Sequence, residues 1–225
     1  LPLSLGLETY GGIVEKIIPR NTPIPASVAQ EFTTYQDGQN AMSIHVVQGE
    51  REKVSDNRSL AKFTLTDIPP MVAGAARVRI SFEVDADGLL SVHAKELTSG
   101  VEQRIDVKPS YGLEFEEIER MLRESMEHAK ADILERLLIE ARVEAERVML
   151  ELNRAMELSP DLVKQGEAAM FAAQMETLKA AIAGTDRERI DYEVHQLHAL
   201  VGPFAERRMN KAISGALAGK NVEEV

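Results

Sequence analysis

Val78-Arg79-Ile80-Ser81-Phe82-Glu83-Val84 alternates apolar and polar residues without a slip. Successive side chains of a strand point to opposite faces, so Val78, Ile80, Phe82 and Val84 share one face and Arg79, Ser81 and Glu83 the other. That is the signature of an antiparallel strand with one buried and one wet side. Asp85-Ala86-Asp87-Gly88 then turns the chain, with Gly88 able to take positive φ. Leu90, Val92 and Ala94 carry the apolar face onto a second strand. Leu97-Thr98-Ser99-Gly100 turns it again, and Val101, Ile105 and Val107 mark a third. Working outward, 13–18, 28–34, 42–48 and 60–66 are further strand candidates, and so many short strands between turns predict a β-sandwich.

Past Gly112 the period lengthens. Ile118, Met121, Leu122, Met126 and Ala129 form one helical stripe, and Leu134 through Met156 a longer one. Ser159-Pro160-Asp161, with Ser159 as N-cap, Gly184-Thr185-Asp186 and Gly202-Pro203 read as breaks, which gives about five helices. The expected fold class is therefore α+β, an antiparallel β-sandwich over 1–112 followed by an α-helical lid over 113–225. The boundary falls at the turn-forming Lys108-Pro109-Ser110-Tyr111-Gly112.

Composition narrows the function. The 225 residues are 44% hydrophobic, enough for a core, and contain no cysteine, which excludes disulfides, thiolate metal sites and a cysteine nucleophile. The N-terminus is too short and uncharged for a signal peptide and reads as a cut inside a longer protein. With the missing cysteines it points to the cytoplasm. The net charge of −11 disfavours nucleic-acid partners, and no apolar run is long enough to span a membrane.

Catalytic chemistry is poorly supported. There is no phosphate-binding Gly-x-x-x-x-Gly-Lys-Ser/Thr loop and no Gly-x-Ser-x-Gly elbow. His195 and His198 could share a helix face, but two histidines do not close a zinc site, and no metal is expected. Asp85 and Asp87 lack the spacing of a calcium loop and suit a hairpin turn better. Two segments stand out instead. Leu5-Gly6-Leu7-Glu8-Thr9-Tyr10-Gly11-Gly12-Ile13 holds glycines that weaken a strand unless another backbone comes close. Phe32-Thr33-Thr34-Tyr35-Gln36-Asp37-Gly38-Gln39-Asn40-Ala41-Met42 sets aromatics beside turn residues. By pattern alone these are two loops at one end of a sandwich, either plain connections or a binding site.

The chain also resembles the substrate-binding domain of the DnaK-type, seventy-kilodalton heat-shock chaperones. The resemblance rests on Leu1-Pro2-Leu3-Ser4-Leu5-Gly6-Leu7-Glu8-Thr9, Ile18-Pro19-Arg20-Asn21-Thr22-Pro23-Ile24-Pro25, Ile44-His45-Val46-Val47-Gln48-Gly49-Glu50-Arg51 and Phe82 through Gly88, all in order. Glu31-Phe32-Thr33-Thr34, Gly38 through His45 and Lys108 through Leu113 are similar to the branch dedicated to iron–sulfur cluster assembly.

The resemblance implies a chaperone fragment that grips an extended client peptide, apolar or proline-containing, from an iron–sulfur scaffold protein. It also implies a J-domain co-chaperone as partner of the parent protein. ATP and magnesium would belong to an ATPase domain outside this chain, so the fragment itself would be neither an enzyme nor a cofactor binder. Carried over by position, Leu7, Ile13, Phe32, Met42 and Ile44 would line one pocket. Backbone groups at Thr9, Gly11, Thr33 and Gln39 would hold the peptide main chain, and Tyr10 and Tyr35 would arch over it. Met71-Val72-Ala73-Gly74 lacks the family's usual charged latch, which leaves Asp37 and Arg147 as the expected lid contact. A general unfolded-protein chaperone and a purely structural module joined through its helices are the alternative readings.

Overall fold

The computed structural model describes residues 1–218. They form two compact units, Leu1–Arg136 and a second beginning at Leu137.

The first unit holds eight strands: β1 (Leu5–Thr9), β2 (Ile13–Ile18), β3 (Ala26–Phe32), β4 (Met42–Gln48), β5 (Arg58–Leu65), β6 (Val78–Val84), β7 (Leu90–Glu96) and β8 (Glu102–Val107). They make two four-stranded sheets, ordered β2-β1-β4-β5 and β3-β6-β7-β8, and every pairing is antiparallel. The alternation in Val78–Val84 is obeyed throughout, with all four apolar residues buried. Leu5, Leu7, Ile44 and Val46 of one sheet meet Ile80, Phe82, Leu90 and Val92 of the other in a single core. Phe82 is fully buried at its centre.

Glu96 occupies the inward register of β7 and is also buried. Its Oε2 accepts hydrogen bonds from the Thr98 and Ser99 N–H groups and from the Ser99 hydroxyl, which closes the Leu97–Gly100 turn. Burial is the largest single influence and pushes the carboxyl up. The hydrogen bonds from Ser99 and Thr98 together outweigh it and bring the carboxyl down to about 2. A depressed carboxylate stabilises the fold above its unfolded value and loses that contribution as pH falls through the folded one. Glu96→Gln is therefore expected to destabilise the protein at pH 6, and urea unfolding should find the gap to wild type closing between about pH 4.5 and about pH 2. A gap that is independent of pH would refute the assignment.

The helices are α1 (Phe115–Leu158), α2 (Glu167–Ile182) and α3 (Arg187–Ala218). In the second unit, Val148, Met149 and Leu152 of α1 pack with Phe171, Met175 and Leu178 of α2 and with Ile190, Leu197 and Phe204 of α3. Arg142 donates to the carbonyls of Ile182 (3.0 Å) and Gly184 (2.7 Å), satisfying the end of α2.

The expected architecture is corrected in three respects. There are three α-helices among the described residues, not five, because the two N-terminal stripes are one 44-residue helix and Gly202-Pro203 lies inside α3. After Ser159 comes a short 3-10 turn, Pro160–Leu162, and Ser159 makes no capping bond. The segment from Leu5 to Thr9 is a strand rather than part of a loop. The expected separate lid over 113–225 is revised as well, because α1 begins in the first unit and ends in the second. Composition changes near Gly112, whereas tertiary contacts divide the chain inside α1.

Candidate functional site

The ladder between β1 and β4 stops early. Leu5 pairs with Gln48, Gly6 with Val47 and Leu7 with Val46, and there it ends. Yet β1 runs on to Thr9, and β4 begins at Met42. Continued in register, Glu8 would face His45 and Thr9 would face Ile44. Instead, β1 keeps pairing only with β2, through Glu8↔Val14 and Thr9↔Ile13. The first residues of β4 keep pairing only with β5, through Met42↔Leu65 and Ile44↔Phe63. Two strands in the middle of one sheet thus part at one end, and main-chain groups facing such a split require a partner.

Local sequence shapes β1 on both sides of the split. A Cβ at Gly6 would lie 2.6 Å from the Glu15 carbonyl oxygen, so only glycine lets β1 approach β2 this closely. Beyond Thr9 the chain reverses through Gly11 (φ 92°) and Gly12 (φ 73°), both in the left-handed region. The turn closes with the Gly12 N–H donating to the Thr9 carbonyl at 3.1 Å. Thr9 Oγ1 donates to the Ile13 carbonyl at 3.2 Å.

The loop entering β4 is organised by Gln39. Its Oε1 accepts from the N–H groups of Tyr35 (3.0 Å) and Gln36 (3.4 Å), and its Nε2 donates to the Ala41 carbonyl (2.8 Å). The Gly38 N–H donates to the Met71 carbonyl (2.8 Å) and the Gly74 N–H to the Thr34 carbonyl (2.8 Å). The Ala73 N–H donates to Asp37 Oδ1 at 2.7 Å. Across the open end of the split, the rings of Tyr10 and Tyr35 stack with centroids 3.8 Å apart and planes 13° apart.

The sequence-derived residues therefore fall as follows. Tyr10 and Tyr35 meet. Leu7 and Ile44 are buried in one cluster, with the partly buried Phe32 and Met42 packed against it. Ile13 is buried on β2 opposite Thr9. Thr9, Gly11 and Thr33 lie on the two segments that flank the split, while the Gln39 side chain is engaged within its own loop. Asp37 holds the neighbouring loop, and Arg147 pairs on its own helix with Glu144 (2.7 Å) and with Glu151. Sequence reasoning passed over Glu8 and His45, which a strand pairing alone could have brought together. It also passed over the anchoring of α1. Arg51 grips Asp132 through Nε (2.5 Å) and Nη2 (2.9 Å), and Arg136 Nη1 donates to the Val14 carbonyl (2.8 Å) and to Glu52 (2.7 Å). The Arg51 hydrogen bond holds the Asp132 carboxyl below the ordinary range against the opposing effect of burial.

Among the described residues no group of three or more His, Cys, Asp or Glu side chains is placed to hold a metal ion. No described helix is long and apolar enough to cross a membrane.

A chain with this paired-sheet unit and helical second unit matches the Hsp70 protein family over residues 1–210. The chain belongs to the Hsp70 family. Among curated relatives, it is 56% identical over 225 residues to chaperone protein HscA of Photorhabdus laumondii. It is 56% identical over 224 residues to the HscA homolog of Methylibium petroleiphilum and 52% identical over 226 residues to that of Pseudomonas aeruginosa. Each match covers all of this chain and 36% of the relative.

That share corrects two expectations. Dedicated service to iron–sulfur scaffold proteins would be a property of a whole chaperone, and a match over 36% of the relatives does not show it for this chain. Nor does a family match over residues 1–210 place ATP and magnesium outside this chain, as the resemblance implied.

Proposed function

We propose that the split between β1 and β4 binds one extended peptide segment, with an apolar side chain entering among Leu7, Phe32, Met42 and Ile44. The observation that carries this reading is the β1/β4 ladder ending at Leu7↔Val46 while both strands continue. An extended chain placed there satisfies main-chain groups without regard to its sequence, and the apolar cluster adds a preference for one side chain. Burial of a leucine-sized group contributes roughly 1.5–3 kcal/mol. Proline-containing segments fit as well, because they are extended before binding and lose less freedom.

Nucleotide binding is the competing use of an Hsp70 chain. Phosphate cradles are built where a glycine-rich loop leads from a strand into a helix N-terminus. Here all eight described strands precede all three α-helices, which favours the peptide.

The test is fluorescence titration with a labelled extended peptide carrying a central leucine, run beside a fluorescent ATP analogue with magnesium. Met42→Phe is expected to crowd the cluster and weaken peptide binding at least tenfold, about 1.4 kcal/mol. Nucleotide binding with no peptide binding, or peptide affinity unchanged by Met42→Phe, would reject the assignment.

A further inference from the structure

We propose that Glu8 and His45 are positioning residues that fix the inner end of the β1/β4 split and so set how firmly it holds a peptide; this rests on the peptide reading above. His45 Nδ1 lies 2.7 Å from Glu8 Oε2, and His45 Nε2 lies 2.8 Å from Ser59 Oγ. With Nδ1–H donated to Glu8, Nε2 accepts from the Ser59 hydroxyl, so both ring nitrogens are engaged.

The position matters more than the strength of the bond. Glu8 and His45 are the two residues that would pair next after Leu7 and Val46. Where the main-chain ladder gives out, this side-chain bond takes over for one further step. Side chains alternate along a strand, so Glu8 and His45 project from the face opposite Leu7 and Ile44. Each is the chain neighbour of a residue in the apolar cluster. On β5 the same row is extended by Ser59 and, directly opposite His45, by Lys62. The ladder shifts register between Val46 and Val47 beside this row, which draws Ser59 into reach of the ring.

The split is thus fastened at both ends. Glu8–His45 holds its inner end, and the Tyr10–Tyr35 stack ties the loop leaving β1 to the loop entering β4 at its outer end. Without the inner fastening, the separation of β1 from β4 can run past Leu7 toward Leu5. The walls around Leu7 and Ile44 then lose their fixed spacing, and a bound peptide is released faster.

The experiment uses the full chain with Glu8→Gln, His45→Ala and the double variant. It measures peptide off-rates and, separately, amide hydrogen exchange. Each single variant should raise the off-rate about fivefold, and the double variant should add little more, as for two members of one interaction. Exchange should accelerate at Gly6, Leu7, Val46 and Val47, with protection in β6 and β7 unchanged. Additive effects, an unchanged off-rate in folded variants, or exchange accelerated evenly across both sheets would overturn the proposal. Should His45→Ala fail to fold, Glu8→Gln, at a more exposed side chain, decides it alone. Absence of peptide binding by the unaltered chain would instead overturn the functional reading, and the exchange pattern would still test the fastening.

Discussion

Asp132→Ala is expected to destabilise the first unit by about 3 kcal/mol, the scale for removing one partner of a buried ion pair. The Asp132 and Arg51 side chains are only 7% and 16% exposed. The substitution leaves the Arg51 guanidinium largely out of water, with Asp56 at 3.3 Å as its remaining carboxylate. Urea unfolding should find the midpoint lowered at unchanged slope. Replacing both partners, Arg51→Met with Asp132→Leu, should restore most of the loss, because no charge is then stranded. A single-variant loss under 0.5 kcal/mol would show that the Arg51–Asp132 pair does not anchor α1 and that its other contacts suffice. The same contacts set where the chain can be cut. A fragment ending at residue 136 keeps Asp132, Glu135 and Arg136, which bond to Arg51, Lys53 and Glu52. One ending at 127 loses all three and should be measurably less stable.

Pro203→Ala should act in the opposite direction and raise stability, by up to about 3 kcal/mol. Pro203 lies inside α3, has no N–H to give to the preceding turn, and is exposed, so little packing is lost with its ring. Thermal unfolding should move upward by several degrees, on the order of 4 °C or more for a unit of this size. An unchanged or lower melting temperature would mean that the packing of Leu197 and Phe204 on α2 depends on the proline.

That proline also marks where the sequence was hard to read. Gly202-Pro203 is a strong local break signal, yet Leu197 and Phe204, on either side of it, are buried in the same core and hold the helix together. Packing of an amphipathic face outweighs a local propensity of a few kcal/mol. The two N-terminal stripes merged for a related reason: no glycine or proline stands between Ala129 and Leu134. By contrast, β6 and β7 were legible because period-two alternation and Asp85–Gly88 agree. Asp85 Oδ1 accepts from the N–H groups of Asp87 and Leu89 at 2.9 Å each, and Gly88 has φ 76°. At the site, residue types and the resemblance brought Tyr10 and Tyr35 forward. The split and the Glu8–His45 bond were beyond reach, since both depend on the register between β1 and β4, which lie more than thirty residues apart. Gly6 sits between: its presence in a strand signalled a close backbone approach, and only the structure says that the approach is to Glu15.

Main-chain groups left unpaired at the edge of a strand are a template for fibre growth, and proteins guard such edges with charge or cover. The parted strands β1 and β4 lie inside their sheet, with β2 and β5 on their flanks. The hydrogen-bonded Glu8 and His45 side chains stand at the inner end and two stacked rings stand at the outer end. On the proposed reading, one extended strand would thread this opening. A second copy of the protein could enter only by releasing an extended stretch from its own ladders. If the rings guard the opening, the Tyr10→Ala, Tyr35→Ala double variant is expected to associate more than wild type at high concentration, which light scattering would measure.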